Sequence, residues 1–114
     1  MGKNSEYLWY VADLRARTDI IEVIRSEGVK LRRRGRCEMI GLSPFTREKT
    51  PSFVVNTEKQ IFKCFSSGKG GTVFSFLMYK RDVCFEEAVK ILAKRYRFGY
   101  RKWRNEKRKK ERIT

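Results

Sequence analysis

Between Lys30 and Lys69 the chain interleaves cations with aromatic rings. Lys30, Arg32, Arg33, Arg34 and Arg36 surround one turn, Lys49, Lys59, Lys63 and Lys69 recur beyond it, and Phe45, Phe53, Phe62 and Phe65 stand among them. Cations that follow phosphates, beside rings that stack on bases, are what a single-stranded nucleic acid needs for binding. Taken singly, each phenylalanine reads more readily as core, because a small sheet needs aromatic volume. One or two exposed rings are therefore expected. Within the donor-rich loop Ser66 to Gly71, Gly68-Lys69-Gly70-Gly71-Thr72 precedes a helical pattern and resembles a phosphate-cradling loop, whose amides attract anions. The G-x-x-x-x-G-K-[ST] spacing is absent, so nucleotide hydrolysis is unsupported and a tight loop-to-helix turn is the favoured reading. Nucleotidyl transfer needs carboxylates that hold two metal ions. The acidic residues here are scattered, and no catalytic centre is expected.

The elements that must position these residues follow from periodicity. Asp19 with Glu22 three residues on marks a helix start, and Ile20, Ile21, Val23 and Ile24 continue it to a stop at Gly28, predicting a helix over 19–27. Tyr7 to Leu14 fits either an earlier helix or an extended arm. Val29 to Leu31, a turn at Arg33 to Arg36 and Met39 to Leu42 form one hairpin; Phe53 to Val55, a turn at Asn56 to Lys59 and Gln60 to Phe65 form another. Thr72 caps a helix carrying Val73, Phe74, Phe76, Leu77 and Met78. A last helix from about Phe85 to Tyr96 shows an apolar stripe of Phe85, Ala88, Val89, Leu92 and Tyr96 that suits packing on a sheet. The fold class is α+β: a small antiparallel sheet of two hairpins with flanking helices.

With 114 residues there is room for one modest core. Twenty-eight Lys and Arg against 13 Asp and Glu leave a formal charge of +15, which favours a polyanionic partner. No apolar run is long enough to span a membrane or act as a secretory leader, and three widely spaced cysteines, Cys37, Cys64 and Cys84, fit a reducing compartment. A cytoplasmic location with no membrane partner is expected. After Arg97 the apolar pattern fades into Arg101, Lys102, Arg104, Lys107, Arg108, Lys109, Lys110 and Arg112, a helical extension or a disordered arm. The segments expected are thus 1–18, an N-terminal arm or helix; 19–97, the nucleic-acid-binding domain; and 98–114, the basic tail.

Two stretches carry a family resemblance. Gly41-Leu42-Ser43-Pro44-Phe45-Thr46-Arg47-Glu48-Lys49-Thr50-Pro51-Ser52-Phe53, followed by Lys59 to Gly71, resembles the N-terminal zinc-ribbon domain of bacterial DnaG-type DNA primases. The likeness runs from the Asp19 helix through Tyr96 and leaves residues 1–18 and the basic tail outside it. In that family the motif carries a Cys-His-Cys-Cys zinc site, and the matching positions here are Ser43, Thr46, Cys64 and Ser67. Neutral hydroxyls are poor zinc ligands and one thiolate cannot hold the ion, so a metal-free ribbon without cofactor is expected. The resemblance implies that the sheet surface reads a single-stranded DNA template during primer initiation. It would act with a separate primase catalytic domain, with a replicative helicase as a further partner. By motif position that role falls to Arg34, Lys49, Thr50, Ser52, Phe53, Lys59 and Lys63. The alternatives are a free-standing phage or mobile-element nucleic-acid-binding factor, and a module that contacts a polymerase or helicase.

Overall fold

The segment from Arg32 to Gly71 forms one sheet in the computed structural model, which describes the backbone of residues 5–113 and the side chains of residues 5–110. Five strands, β1 Arg32–Arg34, β2 Glu38–Gly41, β3 Phe53–Asn56, β4 Ile61–Cys64 and β5 Gly70–Gly71, lie in chain order, each antiparallel to the next. The two expected hairpins are therefore joined edge to edge. The first strand starts at Arg32 rather than Val29, and the turn narrows to Gly35–Cys37, where Gly35 takes a φ of 76° that other residues adopt only with strain.

Register decides which residues share a face. Phe53 stands opposite Cys64 and Val55 opposite Phe62, so these four point to one side, where Phe53 and Phe62 pack against Phe76 with ring centroids 6.0 and 5.7 Å away. Phe76 belongs to a helix over Val73–Arg81, which Thr72 precedes in extended conformation and whose Ser75 hydroxyl accepts the Thr72 amide at 3.3 Å. The helix predicted over 19–27 occupies Ile20–Ser26; the Asp19 carboxylate accepts the Ile21 amide at 3.0 Å, and Ile20, Val23 and Ile24 are buried. Gln60 ties this helix to the β3–β4 turn: its Oε1 accepts the Ile20 amide and its Nε2 donates to the Thr57 carbonyl, both at 2.8 Å.

In chain order the described helices are α1 Ser5–Arg17, α2 Ile20–Ser26, α3 Val73–Arg81, α4 Phe85–Arg95 and α5 Tyr100–Ile113. Tyr7 to Leu14 is thus helical, and so is the basic tail through Ile113; residues 1–4, Thr114 and the Arg112 side chain lie outside what is described. Two compact units emerge. One is Asp19–Phe85, with the sheet, α2 and α3; the other brings α1 together with the residues from Glu86 onward, so the grouping changes at the first turn of α4, where a boundary near residue 97 was expected. Within the second unit an aromatic cluster of Tyr7, Tyr10, Phe98, Tyr100 and Trp103 joins α1 to α5. Among the described residues no helix is long and apolar enough to cross a membrane.

Candidate nucleic-acid interface

Register separates the clustered arginines. Arg32 pairs with Ile40, Ile40 with Val54 and Val54 with Lys63, so Arg32 and Lys63 share the face opposite Phe76. Arg34 lies on that face too, opposite Glu38, which it grips at 2.9 Å in an exposed pair. Arg33 points the other way; its guanidinium donates to the Arg36 carbonyl at 3.0 Å and lines a cavity with Asp19, Ile21, Arg25, Met39, Thr57 and Gln60. Arg36 and Lys59 are exposed in the β1–β2 and β3–β4 turns, at the same end of the meander, and Lys30 is exposed just before β1. Lys49 and Thr50 are exposed in the long β2–β3 loop at the opposite end.

The aromatic half of the expectation needs correction at two residues. Phe53 and Phe62 are 0% and 3% exposed, so they supply core volume and no stacking surface. Alternation puts them on the Phe76 side, and a ring there cannot also face a base. Phe65, just past β4, is 67% exposed. Lys69 sits over the Phe45 and Tyr79 rings, with Nζ 5.9 and 5.4 Å from their centroids. Lys63 Nζ donates to the Gly68 carbonyl at 3.3 Å.

The glycine loop is a tight turn. Its amides are used within the chain: Gly68 donates to the Cys64 carbonyl, Lys69 to the Ser67 hydroxyl and Thr72 to Ser75. Gly71 has a φ of 140°, and an added Cβ would collide with the Ser75 hydroxyl, so its glycine lets the chain pass from β5 into α3.

Where the β2–β3 and β4–β5 loops meet, five hydroxyls, one carboxylate and one thiol form a clasp. Glu48 is its acceptor: it takes the Ser43 amide at 2.8 Å, the Ser52 amide at 3.2 Å and the Ser52 hydroxyl at 2.7 Å. These bonds, the Ser52 hydroxyl foremost, hold the carboxyl below its usual range. Ser66 Oγ is the bridge between loops, 2.8 Å from Thr46 Oγ1, 2.9 Å from Ser52 Oγ and 3.4 Å from Cys64 Sγ. Cys64 Sγ lies 3.1 Å from Ser43 Oγ. Burial pushes the Cys64 thiol up, but the hydroxyls of Ser43, Ser66 and Ser67 and the Ser67 amide outweigh it and bring the group down to about 7. Ser52, expected at a nucleic-acid contact, is thus engaged in the clasp.

Neither Ser66 nor Glu48 was a candidate from sequence. The family pattern drew attention to Ser67 instead of its neighbour, and Glu48 stood in the matched stretch without a role. The signal available was compositional: Ser43, Thr46, Ser52, Ser66 and Ser67 crowd around a single acidic residue in two short loops.

The positions that would hold zinc in the family do converge, but they do not fit the ion. One thiol and three hydroxyls replace its ligands, and Ser43 and Ser67 already accept the amides of Phe45 and Lys69. Among the described residues no group of three or more His, Cys, Asp or Glu could hold a metal.

Comparison with known proteins identifies the scaffold. Residues 7–109 match the CHC2 zinc finger family of DnaG zinc ribbons, so the likeness extends beyond the Asp19–Tyr96 stretch expected from the motifs, into the N-terminal helix and the basic tail. An 85-residue stretch is 51% identical to the DNA primase of Staphylococcus epidermidis, covering 75% of this chain and 14% of that protein. The DNA primase of Staphylococcus aureus is 49% identical over 85 residues with the same coverage. A crystal structure of the Aquifex aeolicus primase, containing its zinc binding and RNA polymerase domains, matches with a TM-score of 0.70 and 41% identity, over 76% of this chain and 21% of that one. The chain therefore spans about one-seventh of the length of the curated relatives, 14% in each case.

Proposed function

Because the chain belongs to the CHC2 zinc-finger family, the zinc ribbon of DnaG-type primases, we propose that it binds single-stranded template DNA during primer initiation, for a catalytic domain located elsewhere. One observation carries the reading: Arg32 and Arg34 in β1 and Lys63 in β4 stand on the same sheet face, turned away from the aromatic core, with Ile40 of β2 and Val54 of β3 between them. Arg36 and Lys59 extend the cationic surface at one end of the meander; Lys49 and Lys69 do so at the other, beside exposed Phe65 and the Phe45 and Tyr79 rings. A strand lying across the sheet would meet phosphate partners along its path and find rings for stacking at the clasp end. The proposed nucleic-acid-binding segment is residues 19–97, which runs from the Asp19–Phe85 unit to just past the end of α4, and its partner is the catalytic domain, with a replicative helicase as a further contact. The chain is the binding component: primer synthesis needs carboxylates gathered around two metal ions, and its acidic residues serve as caps, ion-pair partners and clasp acceptor.

Oligonucleotide binding as a function of salt tests this. Replacing Arg32, Arg34 and Lys63 together by alanine should weaken single-strand binding and flatten the slope of log affinity against log salt by about 2, since each phosphate contact contributes about 0.7. Arg33→Ala, on the opposite face, should change both less. A triple variant that binds like the parent would remove this face from the site. Adding the chain to a primase catalytic domain and measuring primer yield tests the role in initiation; no change in yield would leave binding without that role.

A further inference from the structure

The tail holds a second concentration of positive charge, arranged differently from that of the sheet. In α5, Arg101, Lys102, Asn105, Arg108 and Lys109 fall at i, i+1, i+4, i+7 and i+8 and are all exposed, so they form one outer stripe. The opposite side is committed to α1. Trp103 is 5% exposed and donates its indole N–H to the Asp13 carboxylate at 2.7 Å; Tyr100 donates its hydroxyl to Glu6 at 3.2 Å. Arg104, on the flank, faces Glu6 at 3.4 Å. The sole acid between Tyr100 and Lys110 is Glu106, at the edge of the stripe, where it borders a groove shared with Arg101, Lys102, Asn105 and Lys109.

What the stripe lacks identifies its ligand. Both aromatic residues of the helix are turned inward, so the outer side offers no ring for an unpaired base to stack on, unlike the sheet with Phe65. It offers charge alone, on a rigid rod. Duplex DNA has the matching properties, with one phosphate per ~1.7 Å of axis and a major groove about 12 Å wide that admits an α-helix. From Arg101 to Lys109 the helix rises about 12 Å, enough for cations at its two ends to reach phosphates on opposite walls of that groove. We propose that the outer stripe of α5 is a second nucleic-acid site, which holds double-stranded DNA through its phosphates without reading sequence.

The test uses the full chain and its R101Q/K102Q/R108Q/K109Q variant against three probes: a short mixed-sequence DNA duplex, a single strand of the same length, and phosphatidylglycerol vesicles. The variant should lose tenfold or more in duplex affinity, and its slope of log affinity against log salt should fall by about 3 to 4, at about 0.9 per phosphate contact. Single-strand affinity should change by a smaller factor. Unchanged duplex affinity and slope would overturn the proposal. So would an equal loss on both nucleic acids, which would make the stripe a general polyanion surface, or tighter binding to vesicles than to duplex, which would make it a membrane-surface contact. Circular dichroism and Trp103 emission report whether α5 remains folded. If the quadruple variant does not fold, R101Q/R108Q should give about half the change in slope, and no change in that pair would equally overturn the assignment.

Discussion

The two units each contain an aromatic cluster, but the clusters are of different kinds. In the ribbon its centre is phenylalanine, with Phe45, Phe53, Phe62 and Phe76 in mutual ring contact and the half-exposed Tyr79 joined only at the edge, through Phe45. Polar cross-linking is done separately, in the loop clasp around Glu48, Ser66 and Cys64. Between α1 and α5 the same residues do both jobs: Tyr10 donates to the Phe98 carbonyl at 2.7 Å, Tyr100 to Glu6 and Trp103 to Asp13, while their rings pack together. The separation in the ribbon explains how a family built around a metal can include a member whose ligand positions are hydroxyls. The clasp sits at the loop ends, apart from the phenylalanine core that sets the sheet against α3.

Deleting a ring from the ribbon should therefore have the largest effect. Phe53→Ala removes a side chain with no exposure and three ring neighbours, and should cost about 3–5 kcal/mol in chemical denaturation, as large-to-small changes at aromatic core sites do. A loss below about 1 kcal/mol would mean the core is not where the ribbon is held.

The next effect sharpens the claim that the clasp occupies a metal position. Ser43, Thr46, Cys64 and Ser67 already converge: Ser43 and Ser67 both bond to Cys64, and Thr46 meets Ser66, which touches Cys64. Replacing Ser43 and Ser67 by cysteine and Thr46 by histidine should create a Cys-His-Cys-Cys site that takes up one zinc per chain. Free zinc at about a thousand times its dissociation constant would then stabilise the fold by about 4 kcal/mol. Elemental analysis and thermal melting with and without chelator read the result, and a triple variant that folds but takes up no zinc would show that the loops are not placed as a metal site.

These two effects were unequally legible in the sequence. That Ser43, Thr46 and Ser67 are poor zinc ligands could be read directly, because ligand chemistry depends on residue type. The helix at Asp19 was equally plain, its cap and apolar spacing being local signals. Which face each arginine takes was not, because reading Arg33 to Arg36 as a turn hid the strand alternation that sends Arg32 and Arg34 one way and Arg33 the other. The same alternation buries Phe53 and Phe62. Ser66 escaped notice because two of its three partners, Thr46 and Ser52, reach it only when the meander brings the β2–β3 loop against its own. In the tail the charges dominate composition, whereas the ordering of α5 rests on Tyr100 and Trp103 meeting Tyr7, Tyr10 and Asp13 from the far end of the chain.

A pH dependence distinguishes the ribbon clasp from a set of neutral hydrogen bonds. Cys64 ordinarily titrates near 9.0 and is brought down to about 7 in the fold. A depressed value means that the thiolate is favoured by the folded state. The extra stability is complete above the ordinary value and is lost as pH falls through about 7. Relative to Cys64→Ala, the parent chain should gain about 2–3 kcal/mol between the acid and alkaline sides of this window. Comparing the two chains cancels the titration of groups they share, and a difference that stays constant across the window would mean that Cys64 remains a thiol throughout.

The smallest effect belongs to the helical unit and tests the other half of the comparison. Tyr10→Phe keeps the ring against Phe98, Tyr100 and Trp103 but removes the hydroxyl that donates to the Phe98 carbonyl. A net loss of about 1 kcal/mol is expected, the usual worth of one such bond, because the ring contacts remain. Tyr10→Ala should cost about 3–5 kcal/mol, as it deletes ring and tip together. If the two variants cost the same, the ring contacts contribute little, and α1 and α5 are joined mainly by their polar tips. If Tyr10→Phe is neutral, the cluster behaves like the phenylalanine core of the ribbon, and the contrast between the two units reduces to the clasp alone.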